Sequence, residues 1–105
     1  MRLEPHRPRR YPFCASVELT DVNSETRINA RTSDLSLFGC HIEKLKPFAP
    51  GTKIRIRIIH KGATFQALGR VVYAPSNAGM GVVFTSIQPN DLSVLENWLS
   101  ELRGE

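Results

Sequence analysis

Two clusters of residue types in this 105-residue chain could do chemistry. The first is a run of arginines. Arg2, Arg7, Arg9 and Arg10 stand in the first ten residues against Glu4 alone, so +3 of the formal +4 net charge lies in one short segment. Guanidinium groups offer a planar fork of donors, and charge this one-sided suits a basic arm aimed at an anion better than a uniformly cationic surface. The second cluster is Asp34-Leu35-Ser36-Leu37-Phe38-Gly39. Asp and Ser side chains can bond nearby backbone amides, and Gly39 can adopt a positive φ that larger residues resist. Each cluster alone has a plain structural explanation: a solvated terminus for the arginines, an ordinary turn for Asp34 to Gly39.

Other chemistries are poorly supplied. Asp34, Ser36 and His41 fall within eight positions, too close in sequence for triad geometry, and no nucleophile elbow surrounds Ser36. Gly79-Met80-Gly81 lacks the third glycine and the following helix of a dinucleotide fingerprint, and His6, His41, His60, Cys14 and Cys40 have no metal-ligand spacing. No enzyme, cofactor or metal is expected. Cys14 and Cys40 are read as small buried thiols of a reducing compartment. His41 should point away from Cys40 toward solvent, and it is not counted with the candidate site.

The elements that must position these residues follow from composition and periodicity. With 41% hydrophobic and 23% charged residues, the chain suits one compact domain. Val71 to Ala74 is the longest hydrophobic run, far short of a membrane span, and no secretory signal follows the first arginines, so a cytoplasmic address is expected. Phe13, Ala15, Val17 and Leu19 alternate with polar neighbours and predict a strand over 13–20, followed by a turn at Asp21 to Ser24 and a strand at Thr26 to Ser33. Asp34 to Gly39 reads as a turn before a short piece at Cys40 to Glu43. Ile54, Ile56 and Ile58 oppose Lys53, Arg55 and Arg57 in the clearest alternation of the chain. His60-Lys61-Gly62 and Pro75-Ser76-Asn77 then bracket strands at Ala63 to Ala74 and Gly79 to Phe84. Within Ala63 to Ala74, Gly69 and the Val71-Val72 pair point to a bulge, which leaves the direction of Tyr73 open. Leu92, Leu95, Trp98, Leu99 and Leu102 recur at helical spacing, with Pro89 and Asp91 suited to the first turn. The expected fold is mainly β: a six-stranded antiparallel β-barrel capped by a C-terminal α-helix at about 88–102, with residues 1–12 as a flexible basic arm and 13–105 as the barrel domain.

The combination of the arm His6-Arg7-Pro8-Arg9-Arg10-Tyr11-Pro12-Phe13 with Asp34, Ser36 and Gly39 one hairpin later resembles the PilZ family across essentially the whole chain. That family carries an Arg-x-x-x-Arg element before its first strand and an Asp/Asn-x-Ser-x-x-Gly element after its second, on a six-stranded barrel with a terminal helix. Asp34, Ser36 and Gly39 meet the second element in full. In the first, Arg10 aligns with the second family arginine and His6 stands where the first would be, with Arg7 and Arg9 as additional cations.

The resemblance implies a non-enzymatic receptor for cyclic di-GMP, a dianionic cyclic dinucleotide of the bacterial cytoplasm, whose binding changes the protein's shape and so regulates an unidentified effector protein. The implied ligand-binding residues are His6, Arg7, Arg9, Arg10, Asp34, Ser36, Gly39 and Tyr73. Arginine can hold phosphate, read the O6 and N7 edge of guanine, or stack on the purine. Asp34 can accept from guanine N1 or N2, Ser36 can bond a phosphate or base edge, and Gly39 permits close backbone approach. Tyr73 is the residue that would flank a base. Two other readings stay open: a PilZ-like protein-interaction module that does not bind nucleotide, and a small basic barrel holding single-stranded nucleic acid on Arg27, Arg31, Arg55, Arg57 and Arg70. The scarcity of aromatics outside the expected core argues against a nucleic-acid polymer, and no membrane insertion is expected.

Overall fold

The computed structural model describes residues 9–44, 46–75 and 78–104. Alternation shapes its sheet. Ile54, Ile56 and Ile58 are at most 1% exposed, while Lys53, Arg55 and Arg57 face solvent. Among the described residues the elements are β1 (Tyr11–Pro12), β2 (Ser16–Asp21), β3 (Arg27–Leu35), β4 (Gly39–Glu43), β5 (Lys53–His60), β6 (Ala63–Tyr73), β7 (Met80–Ser86) and α1 (Pro89–Leu102). The strands run β1-β3-β2-β5-β6-β7-β4, and β4 pairs back onto β3. Six strands therefore close an antiparallel barrel, and β1 is an extra piece at its rim. Closure satisfies the edge amides that an open sheet would expose.

Leu19, Leu35, Ile42, Phe65 and Met80 fill the interior with no exposure. The β5–β6 hairpin turns through Lys61 and Gly62 at φ of 50° and 78°, a two-residue turn whose twist matches the strands it joins. Helix α1 begins at Pro89 and buries Leu95, Trp98 and Leu99, each worth roughly 1.5–3 kcal/mol of burial. The Trp98 ring lies 5.5 Å from Phe13, 5.6 Å from His60 and 6.3 Å from Phe65. Asp91 fixes the other end of the helix: its Oδ1 accepts the Gln66 amide at 2.9 Å, just beyond the point where β6–β7 pairing stops at Leu68 and Ser86.

Four sequence expectations change. The strand foreseen over 13–20 is divided, because residues 13–15 bond to a side chain as well as to a neighbouring backbone. Thr32, fully buried, donates its hydroxyl to the Phe13 carbonyl at 2.7 Å and accepts the Ala15 amide at 2.9 Å. Tyr11 and Pro12, assigned to the arm, instead pair with Leu35 and Asp34. Cys14 is exposed rather than core, since Phe13 and Ala15 take the inward positions on either side; its sulfur accepts from Arg31 Nε and Nη2 at 3.2 Å each. Asp34 and Leu35 complete β3, so the turn is confined to Ser36–Phe38. The expected turn at Pro75-Ser76-Asn77 falls partly outside the described residues.

Candidate functional site

The pairing of Pro12 with Asp34 sets Arg10 beside the end of β3. Arg10 Nε donates to Asp34 Oδ2 at 3.1 Å and Nη2 to Oδ1 at 2.8 Å, a two-pronged ion pair. A register shift between Thr32 and Asp34 turns the carboxylate back over β4, where Oδ1 also accepts the His41 backbone amide at 2.8 Å. Asp34 is thereby held from two sides. Its hydrogen bond to Arg10, reinforced by charge attraction and opposed by partial burial, raises the guanidinium pKa above its ordinary value. Because both side chains remain partly open to solvent, the pair orients more than it stabilises, contributing up to about 1 kcal/mol.

Ser36 is 1% exposed and builds the turn. Its hydroxyl lies 3.2 Å from the Gly39 carbonyl, to which it donates, and accepts the Phe38 and Gly39 amides at the same distance. These bonds use its donor and both acceptor positions within the turn. Gly39 also differs from expectation. The described glycines with positive φ are Gly51, Gly62, Gly79 and Gly104, so Gly39 is not needed for a left-handed conformation. A Cβ there would collide with the Val82 carbonyl oxygen across the β4–β7 pairing. Close strand approach, rather than turn geometry, explains the glycine.

A bulge between Val71 and Tyr73 settles the direction left open by counting. Val71 is buried while Val72 and Tyr73 are 42% and 43% exposed. The Tyr73 ring lies over Gly81, where any Cβ would strike it, and stacks on His41 at 5.8 Å between centroids. Arg10, Phe38, Gly39, Val72, Tyr73 and Gly81 line an open groove of about 150 Å³. Clefts for drug-sized ligands run to roughly 300–1,000 Å³, so this groove can seat only part of such a molecule. It combines a fixed cation, a glycine floor and exposed aromatic walls, a setting for a planar ring attached to an anion. Next to it Cys40 is buried; burial, aided by the Asp34 charge and opposed by Arg10, pushes its thiol up to about 12. Among the described residues no group of three or more His, Cys, Asp or Glu could hold a metal ion.

The sequence profile of the PilZ domain matches residues 4–101. The chain belongs to the PilZ family. PilZ domains are ligand-binding receptor domains, generally non-enzymatic, and the family binds cyclic di-GMP. The PilZ domain of CeSA from a cellulose-synthesizing bacterium superposes with a TM-score of 0.74 at 20% identity, covering 90% of this chain and 98% of that one. The PilZ domain of YcgR from Escherichia coli, solved with cyclic di-GMP, gives 0.70 at 16% identity over 95% of this chain and 92% of its own. The Bacillus subtilis inhibitor of motility MotI/DgrA gives 0.69 at 16% identity; 93% of this chain is covered but only 50% of that one. At these identities the likeness is one of fold. No curated protein matches in sequence.

This PilZ domain brings Arg10, Ser36, Gly39 and Tyr73 to one groove, and the ion pair with Arg10 joins Asp34 to it. Arg9 is exposed, with its guanidinium 5.8 Å from the centre of the Tyr11 ring. His6 and Arg7 lie outside the described residues. Sequence reasoning missed His41 and Phe38. Strand parity placed His41 outward correctly but gave no sign that a bulge would bring Tyr73 within bonding distance. Phe38, 58% exposed, occupies an unspecified position of the Asp-x-Ser-x-x-Gly element. Its exposure follows from the Phe84 amide bonding the Phe38 carbonyl at 2.8 Å, which fixes the backbone while the ring projects outward.

Proposed function

We propose that this PilZ domain is a cytoplasmic, non-enzymatic receptor for cyclic di-GMP that changes conformation on binding and passes the change to a partner protein. The observation that carries the reading is the direct contact of Arg10 with Asp34, which unites the two sequence elements at one groove. Arg10 grips a phosphate or the O6 and N7 edge of a guanine, and His6, Arg7 and Arg9 bring further donors from the preceding segment. Two Asp34 oxygens already accept three bonds, so a guanine N1 or N2 donor takes the remaining lone pair or displaces Arg10. That displacement frees the guanidinium for phosphate and alters the arm. Tyr73 flanks the base; Gly39 keeps the floor low; Ser36 holds the turn that carries both.

The basin lined by Arg27, Arg55 and Arg57 contains Glu18 and Glu25 and no aromatic side chain, and Arg55 is 3.5 Å from Glu25. It therefore lacks the stacking platforms of a single-strand binder. Calorimetric titration with cyclic di-GMP tests the proposal and should give saturable binding. Arg10→Ala should weaken it ten- to hundredfold, the loss of a charged hydrogen bond worth roughly 1.5–3 kcal/mol. An Arg10→Ala variant that binds like the parent refutes the role of Arg10. His6→Arg should tighten binding. Absence of binding to cyclic di-GMP and to single-stranded RNA or DNA would instead favour the protein-interaction module.

A further inference from the structure

The feature left unused is His41, whose three nitrogens are all engaged. Its amide holds Asp34 Oδ1 at 2.8 Å, Nδ1 lies 3.2 Å from the Tyr73 hydroxyl, and Nε2 lies 2.8 Å from the Ala78 carbonyl. The last contact assigns the tautomer. A carbonyl oxygen can only accept, so Nε2 carries the proton, and in the neutral imidazole Nδ1 is then an acceptor. The Tyr73 hydroxyl must donate to it. Once its proton is directed to His41, the hydroxyl has only lone pairs to offer the groove.

We infer that His41 is a positioning residue that holds the Tyr73 ring above Gly81 and turns its hydroxyl proton inward, so that the groove presents a hydrogen-bond acceptor to its ligand. The backbone supports this placement: Gly79, at φ 80°, has no room for a Cβ between the Ile42 carbonyl and the His41 ring, and so lets Ala78 reach Nε2. Tyr73 and Asp34 are both acceptors and are linked through one histidine. A ring edge that donates, such as N1–H and the amino group of guanine, matches them; the N1 of adenine, an acceptor, is opposed. This preference rests on the proposed nucleotide-binding role, whereas the positioning of Tyr73 does not.

The test uses two substitutions that divide the histidine's functions. His41→Asn keeps an acceptor near the position of Nδ1 and loses the contact with Ala78; His41→Gln reaches toward Ala78 and loses the contact with Tyr73. Carbon-13 labelled tyrosine in the free protein reports the ring directly, with Tyr73→Phe assigning its signal. The Tyr73 signal should stay near its parental position in His41→Asn and move in His41→Gln and His41→Ala, with urea midpoints used to confirm that all three fold. Titration should then show a five- to tenfold loss of cyclic di-GMP affinity in His41→Gln, parental affinity in His41→Asn, and narrowed discrimination against cyclic di-AMP in Tyr73→Phe. An unmoved Tyr73 signal in both His41→Gln and His41→Ala overturns the positioning role. Unchanged discrimination in Tyr73→Phe overturns the preference for a donor edge. If the parent ignores cyclic di-GMP while the tyrosine signals behave as expected, the receptor reading and its donor-edge preference fail and the positioning role stands.

Discussion

Gly39 and Gly81 both lie on the β4–β7 seam, and both exclude a methyl group, but against different neighbours. At Gly39 the added carbon meets the Val82 carbonyl oxygen, which belongs to the paired backbone. It can be accommodated only if β4 and β7 separate, which strains the interstrand bonds of Gly39 and Cys40 and disturbs the turn held by Ser36. Overpacking against an immovable group costs about 1–3 kcal/mol, and a weakened buried backbone bond adds about 1 kcal/mol. Gly39→Ala should therefore destabilise the domain by roughly 2–4 kcal/mol, a fall in Tm of about 10–20 °C for a chain of this size. At Gly81 the added carbon meets the Tyr73 ring, the outer end of a 43% exposed side chain. The ring can swing away, so Gly81→Ala should lower stability by less than about 1 kcal/mol while removing the ring from the groove. Thermal unfolding followed by Trp98 fluorescence measures both. Equal Tm values for the two variants would refute the distinction between backbone and side-chain obstruction.

Smaller perturbations test other contacts. Arg10→Ala should cost about 1 kcal/mol of stability or less, read from urea midpoints, because the ion pair is partly solvated. A thiol reagent at pH 8 should modify Cys14 quickly and Cys40 only as the protein unfolds, since the Cys40 thiol is buried and pushed up to about 12; prompt modification of both would contradict that burial. Asp21 has its pKa lowered, first by the Asn23 amide and then by bonds from Ser24. Its contribution is present above the ordinary carboxyl value and is lost as pH falls through the lowered one, so Asp21→Asn should flatten the acid side of the stability profile, most visibly below about pH 4. Asp91→Ala removes the acceptor of the Gln66 amide and should cost about 1 kcal/mol in the same unfolding assay.

Much of the barrel was legible because its strands obey a period of two: the isoleucines of β5 and the inward pair Val17 and Leu19 read straight from the order of residues. The helix was legible from the spacing of Leu95, Trp98 and Leu99. What escaped were places where the chain departs from its period. Thr32 looks like an unremarkable strand residue, yet its hydroxyl takes over the bonding of residues 13–15 and divides a strand. The bulge before Tyr73 was legible from the Val71-Val72 pair, but the direction in which it turns the ring, toward His41, was not. Gly39 was singled out for turn geometry, but the constraint on it lies in β7, more than forty positions away, which local turn chemistry does not contain. Asp34 and Ser36 were both picked from one short element, and only spatial pairing separates the carboxylate that faces Arg10 from the hydroxyl that holds the turn.

The Phe13 ring, only three positions after Arg10, clusters with His60 and Trp98, with centroids 4.6 Å and 5.5 Å away. The anchor of the basic segment thus touches the C-terminal helix through Trp98. The segment has two independent supports: the Phe13 ring docks against the helix, while its amide bond to the Ser33 carbonyl and the β1–β3 pairing tie the backbone behind Arg10 to the barrel, so loss of the helix contact removes one hold and leaves the other.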